Sequence, residues 1–169
     1  MADKIQYKFE RYEKKYFVTP NQQRLLLSRL GSHIQPDAYG AYTICNLYYD
    51  TDDWQLIRAS IEKPVYKEKL RVRSYGVPQQ DDKVFVELKK KVQGVVYKRR
   101  IAMPGIQVEA CLSRRMKLPD SQIGREIAYM LDYYRELEPA VFLSYEREAF
   151  YERNGGDFRV TFDENIRYR

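Results

Sequence analysis

The sequence predicts an α+β domain built on a mostly antiparallel β-sheet. Segments of alternating polar and apolar residues are joined by short stretches rich in Gly, Pro, Asn and Asp, which are typical of hairpin turns. Two such turns are GVPQQDD at 76–82 and RNGGD at 153–157. The helical patterns lie between or after the strands, and hairpin signals dominate. That order favours an α+β class over a regular alternation of parallel strands and helices.

The elements of the N-terminal half follow from alternation and capping signals. Thr19 is a favoured N-cap and Pro20 suits the first helical position, so they predict the start of a helix over 21–30 that ends at Gly31. Alternation predicts the other elements of this half, which are strands at 10–18, 43–50, 66–75 and 83–91 and a short helix at 54–60.

The C-terminal half continues with a strand at 95–103 and two helices at 108–115 and 121–136. The second helix has apolar residues at helical spacing, so we expect it to lie on an apolar surface. Strands at 140–151 and 157–163 then complete the predicted sheet.

Composition sets broad limits on function. The chain has 169 residues, of which 44% are hydrophobic, and this suits one folded domain and excludes a disordered chain. Its net charge of +6 favours anionic partners. Two cysteines do not make a disulfide framework, and no signal-peptide core or apolar stretch of membrane-spanning length occurs. We therefore expect a cytoplasmic protein that does not insert directly into a membrane.

The strand at 66–75 carries a cation at every second position, while its other face includes Leu70 and Val72. Successive side chains of a strand point to opposite faces, so one face of this strand is basic. The cations of this ladder are Lys67, Lys69, Arg71 and Arg73. A single basic strand more often marks a solvated face or a protected sheet edge.

The same pattern recurs on several predicted strands, although a sheet has only two edges, and this favours a binding site. The charged faces hold the cations Arg11, Lys15, Lys69, Arg71, Arg73, Lys89, Lys98, Arg100, Arg147 and Arg159. The acids on these faces are Glu13, Glu87 and Asp163. Facing cations repel one another, and a lysine among them should lose its proton first. A ligand with several phosphates would relieve this repulsion, and the acids could hold a divalent cation that bridges phosphates.

Seven segments of the chain carry a family resemblance. They are RYEKKYFV (11–18), LYYDT (47–51), LRVRSYG (70–76), VFVELKKK (84–91), YKRRIAM (97–103), SYEREAF (144–150) and FRVTFDENIRYR (158–169). In this order they resemble the VTC domain, the polyphosphate polymerase domain of the vacuolar transporter chaperone type. That domain belongs to the triphosphate tunnel metalloenzyme superfamily, together with the CYTH proteins. The resemblance covers nearly the whole chain.

The resemblance implies one domain over 1–169, an antiparallel β-barrel of about eight strands around a polar tunnel, with helices packed outside. It also implies binding of ATP and polyphosphate with Mn²⁺ or Mg²⁺, and transfer of the γ-phosphoryl group of ATP to the growing chain. The terminal phosphate of that chain is itself an anionic nucleophile, so no general base is expected.

The resemblance and the charged faces together assign the site. Residues expected to act on the reacting phosphates are Lys15, Arg71, Arg73 and Lys89. Residues expected to bind the other phosphates are Lys69, Lys98, Arg100, Arg147, Arg159 and Arg11. Residues expected to ligate the metal are Glu13 and Glu87. Because the tunnel cations repel one another, we also expect alanine at position 71 or 73 to leave the unliganded fold intact.

The family pattern continues beyond FDENIRYR with a strand that carries a metal-binding glutamate, and then with a helical segment that carries an S-K-Y lysine. Neither occurs before Arg169, so we expect the C-terminal part of the domain to be missing. The first strand also reads R-x-E-x-K, with Arg11 in place of the superfamily's first glutamate, which suits a polymerase more than a triphosphatase.

Two alternative functions remain open on the sequence. One is an inorganic or thiamine-triphosphatase-like hydrolase on the same tunnel, and the other is a non-catalytic polyphosphate- or nucleotide-binding module. Nucleic acid is disfavoured as a partner, because the cations alternate with aliphatic residues and not with stacking aromatics. The oligomeric state and a membrane-protein partner are left open.

Overall fold

The computed structural model describes residues 8–10 and 13–169. The strands are β1 Lys8–Glu10, β2 Ile34–Asp50, β3 Tyr66–Tyr75, β4 Lys83–Val92, β5 Val95–Pro104, β6 Glu138–Glu152 and β7 Arg159–Tyr168. The helices are α1 Pro20–Leu30, α2 Gln55–Glu62, α3 Gly105–Leu112 and α4 Gln122–Tyr134. None of these helices combines the length and apolar character that a membrane crossing requires.

All strand pairs are antiparallel, and the strands form one sheet in the order β1-β5-β4-β3-β2-β6-β7. Strands β3, β4 and β5 follow one another through short turns, as the sequence predicts. The α+β class with an antiparallel sheet is confirmed. Within the described residues the sheet is not closed, because β1 and β7 form its two edges.

Three helices cover one face of the sheet. Helices α2, α3 and α4 share a hydrophobic core with strands β2 to β5, and the most deeply buried members include Leu70, Val86, Leu88, Ile127 and Met130. These side chains exclude water from one face of each central strand, which stabilises the sheet. Because side chains alternate along a strand, the opposite face is left to the polar residues.

Helix α1 begins at the predicted cap. The Thr19 hydroxyl accepts a hydrogen bond from the amide of Gln22 at 3.3 Å, and the Gln22 side chain accepts one from the Thr19 amide at 2.8 Å. This reciprocal pair satisfies two amides that the first turn leaves without helical partners. No residue of α1 is buried, and Leu25 and Leu26 are partly exposed. Unlike the other helices, α1 therefore contributes nothing to the core.

Three strand predictions differ from the structure, and the last of them is the strand predicted over 157–163, since β7 covers Arg159–Tyr168. The predicted strand over 10–18 is wrong for residues 13–18, which are exposed and lie outside any strand. Alternation assigns faces to a strand, but a strand also needs a neighbour to accept its backbone hydrogen bonds. The predicted strand over 43–50 is too short, because β2 begins at Ile34 and continues through a bulge where Gly40 has a φ of 63°.

Candidate functional site

The strand register places many of the predicted cations on one face. Lys69 pairs with Lys89 and Arg71 with Glu87 across β3 and β4, while Glu87 also pairs with Arg100 across β4 and β5. Directly paired residues project to the same side of a sheet. We call this side the polar face, and its charged members on the central strands are Lys69, Arg71, Arg73, Glu87, Lys89, Lys98 and Arg100.

Glu87 lies at the centre of the polar face and is only 1% exposed. Its Oε2 accepts a hydrogen bond from Arg71 Nε at 2.8 Å. The same oxygen lies 2.7 Å from Arg71 Nη2 and 3.8 Å from Arg73 Nε. Its Oε1 lies 2.8 Å from Lys98 Nζ. Burial alone would raise the pKa of Glu87, but these cations outweigh burial and hold the pKa at about 2. The carboxylate therefore stays ionised and holds the cations together.

Polar residues on β2 and β6 accept further hydrogen bonds from the guanidinium groups of Arg71 and Arg73. Arg71 Nη1 donates to the Tyr48 hydroxyl at 2.8 Å, and Arg73 Nε donates to Asn46 Oδ1 at 2.9 Å. Arg73 Nη2 also donates to the Tyr145 hydroxyl at 3.4 Å. The sequence reasoning missed Asn46 and Tyr48 as site residues, although their even spacing on the predicted strand places both on one face. These bonds fix the two guanidinium groups in place.

Two lysines of the polar face, Lys69 and Lys98, have a lowered pKa. Burial lowers the pKa of Lys98 to about 8, although Glu87 opposes that shift. Burial also lowers the pKa of Lys69, and the nearby Lys89 and Lys67 add to the effect. Both shifts have the direction expected for lysines that lose their protons first in a poorly solvated cluster of like charges. An anion bound between them would favour their charged form.

The segment after β1 brings two further predicted residues to this face. Glu13 lies 3.5 Å from Lys89 Nζ through Oε2 and 3.8 Å from Lys15 Nζ through Oε1. Burial would raise the pKa of Glu13, but Lys89 and Lys15 outweigh it, so the pKa is lowered. Arg11 lies outside the described residues.

The predicted cations on β6 and β7 are paired with acids. Arg147 donates to both carboxylate oxygens of Asp163, from Nε at 2.6 Å and from Nη2 at 2.7 Å. Burial would lower the pKa of Arg147, but the bond to Asp163 reverses this and raises the pKa. Arg159 Nη2 lies 3.9 Å from Asp37. Phosphate binding by Arg147 would require an exchange of its partner, whereas the Arg159 side chain is 47% exposed.

Two further cations of the central strands, Lys67 and Arg100, have local contacts. Lys67 Nζ donates to the Ser60 carbonyl on α2 at 3.0 Å, so the first cation of the sequence ladder contacts a helix. The Arg100 guanidinium lies 4.6 Å from the centre of the Phe85 ring, which is a cation–π contact.

Glu87 does not fit the predicted metal site. Both of its carboxylate oxygens face cations, and a divalent ion would have to displace Arg71 or Lys98 and approach Arg73. Glu13 is one further carboxylate, and its partners are lysines. Over residues 8–10 and 13–169, no group of three or more His, Cys, Asp or Glu residues is placed to hold a metal ion. The cations around Glu87 and Glu13 are the groups that an anionic ligand would contact on this face.

Comparison with known proteins gives the family of the chain and a similar fold. The family model of the VTC domain matches residues 10–169. The structure of a proposed adenylate cyclase of Bacillus halodurans superposes with a TM-score of 0.51 at 15% identity, covering 98% of this chain and 83% of that one. A proposed adenylyl cyclase of Hippeastrum, described as having a dominant triphosphatase activity, superposes with a TM-score of 0.45 at 16% identity. The match covers 93% of this chain and 76% of that one. No curated protein matches the sequence. The chain belongs to the VTC domain family.

Proposed function

We propose that this domain transfers the γ-phosphoryl group of ATP to the end of a growing polyphosphate chain bound along the polar face, and that it works in the cytoplasm. The observation that carries the proposal is the cluster of Arg71, Arg73 and Lys98 around the buried carboxylate of Glu87. Cations fixed in this way suit a ligand that carries several adjacent negative charges. Membership of the VTC domain family supports the same ligand class.

The reaction needs alignment and charge neutralisation more than proton transfer. A terminal oxygen of the polyphosphate chain attacks the γ-phosphorus of ATP, the bond from that phosphorus to the β–γ bridging oxygen breaks, and ADP leaves with the bonding electrons. The attacking oxygen is already anionic, so no proton has to be removed. In such transfers positioning and electrostatic stabilisation supply most of the rate enhancement.

We assign roles to the described cations from the contacts that hold them, and Arg11, which lies outside the described residues, keeps the role that the sequence predicts. Arg71 and Arg73 are fixed by Glu87, Tyr48 and Asn46 at the centre of the polar face. We therefore assign them to the transferred phosphoryl group, where bidentate donors stabilise spreading charge. Lys15 and Lys89, joined through Glu13, hold the attacking chain. The remaining predicted cations bind flanking phosphates, and they are Lys69, Lys98, Arg100, Arg147, Arg159 and Arg11.

The expected Mn²⁺ or Mg²⁺ is assigned to the nucleotide substrate. Phosphate oxygens are hard ligands of the kind that such ions prefer, and Mg²⁺ is commonly bound through substrate phosphates. Glu87 supplies a fixed negative charge inside the cation cluster, and no step of the proposed reaction requires it to touch a metal.

The products distinguish this function from its alternatives. The protein is incubated with ATP and Mn²⁺, and the phosphate products are separated by length on a polyacrylamide gel while ADP is measured. The proposal expects long phosphate chains in amounts that match the ADP released. Orthophosphate as the sole phosphate product would identify a triphosphatase. Binding of polyphosphate without turnover would identify a non-catalytic module.

A matched pair of variants tests whether the polar face is responsible. Arg73→Ala removes a cation that contacts Asn46 and Glu87, and we expect it to abolish chain synthesis. Arg125→Ala removes an exposed arginine of α4 that pairs with Asp120, and we expect wild-type synthesis. Equal activity in the two variants would overturn the assignment of the polar face.

A further inference from the structure

The polar face changes in chemical character along the strand direction. On β3 it runs from Lys69 through Arg71 and Arg73 to Tyr75, and on β4 from Lys89 through Glu87 to Phe85. The register pairs Lys69 with Lys89 and Arg73 with Phe85, so the two gradients point the same way. One end of the face is therefore rich in lysine, and the other end is aromatic.

The aromatic end is a contiguous group of three rings, which we call the aromatic corner: Tyr42, Tyr75 and Phe85. The ring centres of Tyr42 and Tyr75 are 6.0 Å apart, and those of Tyr75 and Phe85 are 5.7 Å apart at an interplanar angle of 84°. Phe85 is 9% exposed and its ring lies against the Arg100 guanidinium, whereas Tyr75 is 51% exposed. The corner thus has a buried base and an exposed ring.

The aromatic corner directly adjoins the arginines. Tyr75 is the second residue after Arg73 on the same strand face, and Phe85 faces Arg73 across the β3–β4 pair. From Tyr75 back to Arg71 the strand rises roughly 13 Å. An extended nucleoside triphosphate is of similar length, so one molecule can span the distance from the aromatic corner to the arginines.

We propose that the aromatic corner binds the nucleobase of the nucleoside triphosphate, so that the nucleotide lies with its base on Tyr75 and its γ-phosphate toward the lysine end. This inference rests on the proposed function and adds a direction to it. The acceptor chain then occupies the lysine end, beside Lys69 and Lys89. Stacking on aromatic rings tolerates every base because every base has a π face, so the corner fixes the orientation of the nucleotide more than the identity of its base.

Binding measurements with two probes test this directly. ATP and inorganic tripolyphosphate share three linked phosphates, but only ATP has a base. We expect Tyr75→Leu, which keeps an apolar side chain without the ring, to weaken ATP binding about tenfold by calorimetry while tripolyphosphate binding stays unchanged. Tyr75→Phe restores a ring and should recover most of the ATP affinity. GTP and CTP should lose affinity in Tyr75→Leu to a similar degree.

An exposed tyrosine elsewhere serves as the matched control. Tyr129 on α4 is 68% exposed and belongs to the helical layer, so Tyr129→Leu should change neither affinity. Equal weakening of ATP and tripolyphosphate by Tyr75→Leu would show that Tyr75 only supports the fold, and an unchanged ATP affinity would place the base elsewhere. Either result overturns the inference and leaves the proposed function standing. Failure of the wild type to bind tripolyphosphate would overturn both.

Discussion

Arg71 and Glu87 face each other across β3 and β4, and two guanidinium nitrogens of Arg71 lie 2.8 and 2.7 Å from one carboxylate oxygen of Glu87. Lys98 approaches the other oxygen at 2.8 Å. The unliganded polar face is thus organised around an internal anion, and its cations do not simply repel one another. This changes the expectation for alanine at position 71, because the substitution removes a partner of a buried charge.

Glu87→Gln tests the importance of this internal anion. Removing one partner of a buried ion pair strands the others, so we expect the free energy of unfolding to fall by about 3 kcal/mol. Tripolyphosphate should restore part of that loss by supplying negative charge to Arg71 and Lys98. Urea unfolding with and without tripolyphosphate measures both effects, and the ligand should stabilise the variant more than the wild type.

Glu126→Gln is the matched control for this comparison. Glu126 on α4 also contacts two cations, Arg99 and Lys90, but it lies on the helical side of the sheet. Its replacement should lower stability without changing the increment that tripolyphosphate provides. The internal-anion interpretation fails if the ligand stabilises Glu87→Gln and Glu126→Gln by the same amount.

Arg71→Lys and Arg71→Ala separate charge from geometry. Lysine keeps the charge but cannot contact Glu87 and Tyr48 in the same planar arrangement, so we expect tripolyphosphate affinity to fall about tenfold. Alanine also removes the charge and should cost about 100-fold, together with a lower free energy of unfolding. Calorimetry and urea unfolding provide the two readouts. If Arg71→Lys binds as well as the wild type, phosphate recognition at this position depends on charge alone.

The sequence predicts most of the fold because its local signals are strong. Thr19 and Gln22 form the predicted cap of α1, and the turns at 76–82 and 153–157 join antiparallel strands as expected. The bulge in β2 was not predictable, since Pro36 and Gly40 within 36–41 read locally as a loop. Residues 13–18 have the alternation of a strand, but alternation carries no information about a pairing partner.

The sequence predicts on which face of its strand each site residue lies, but it does not predict which residues that side chain contacts. Period-two spacing places Arg71 and Arg73 on one face, and the register confirms that they lie beside Glu87. Whether a carboxylate meets a metal or an arginine depends on neighbours that are distant in sequence. Lys98 joins the cluster through strand pairing, and Asn46 joins through a different strand pair.

Lys98 should make phosphate binding sensitive to pH. Its pKa is about 8 in the unliganded fold, against an ordinary value of 10.5. A bound phosphate favours the protonated form, so binding takes up a proton above pH 8 and tripolyphosphate affinity falls as pH rises. Without ligand, folding stability depends on pH with the opposite sign. Between pH 8 and 10.5 the unfolded chain holds the Lys98 proton more often than the folded protein does, so the free energy of unfolding rises over that range.

Lys98→Arg provides the comparison for this pH dependence. Arginine remains charged over the whole range, so calorimetric titrations from pH 7 to 9.5 should show a smaller loss of affinity in the variant than in the wild type. The titration of tripolyphosphate itself is common to both proteins and cancels in the comparison. Parallel pH profiles would contradict a role for Lys98 in binding.

Asp163→Asn tests whether Arg147 can bind phosphate. Asp163 now occupies both the Nε and Nη2 donors of Arg147, so the amide substitution should release a cation toward the polar face and raise tripolyphosphate affinity roughly fivefold. The same change removes an ion pair between β6 and β7 and should lower the free energy of unfolding by about 1 kcal/mol. Calorimetry on Asp163→Asn, and on the double variant with Arg147→Ala, decides between two roles. Loss of the gained affinity in the double variant assigns Arg147 to the ligand, whereas unchanged affinity in Asp163→Asn restricts Arg147 to pairing the two strands.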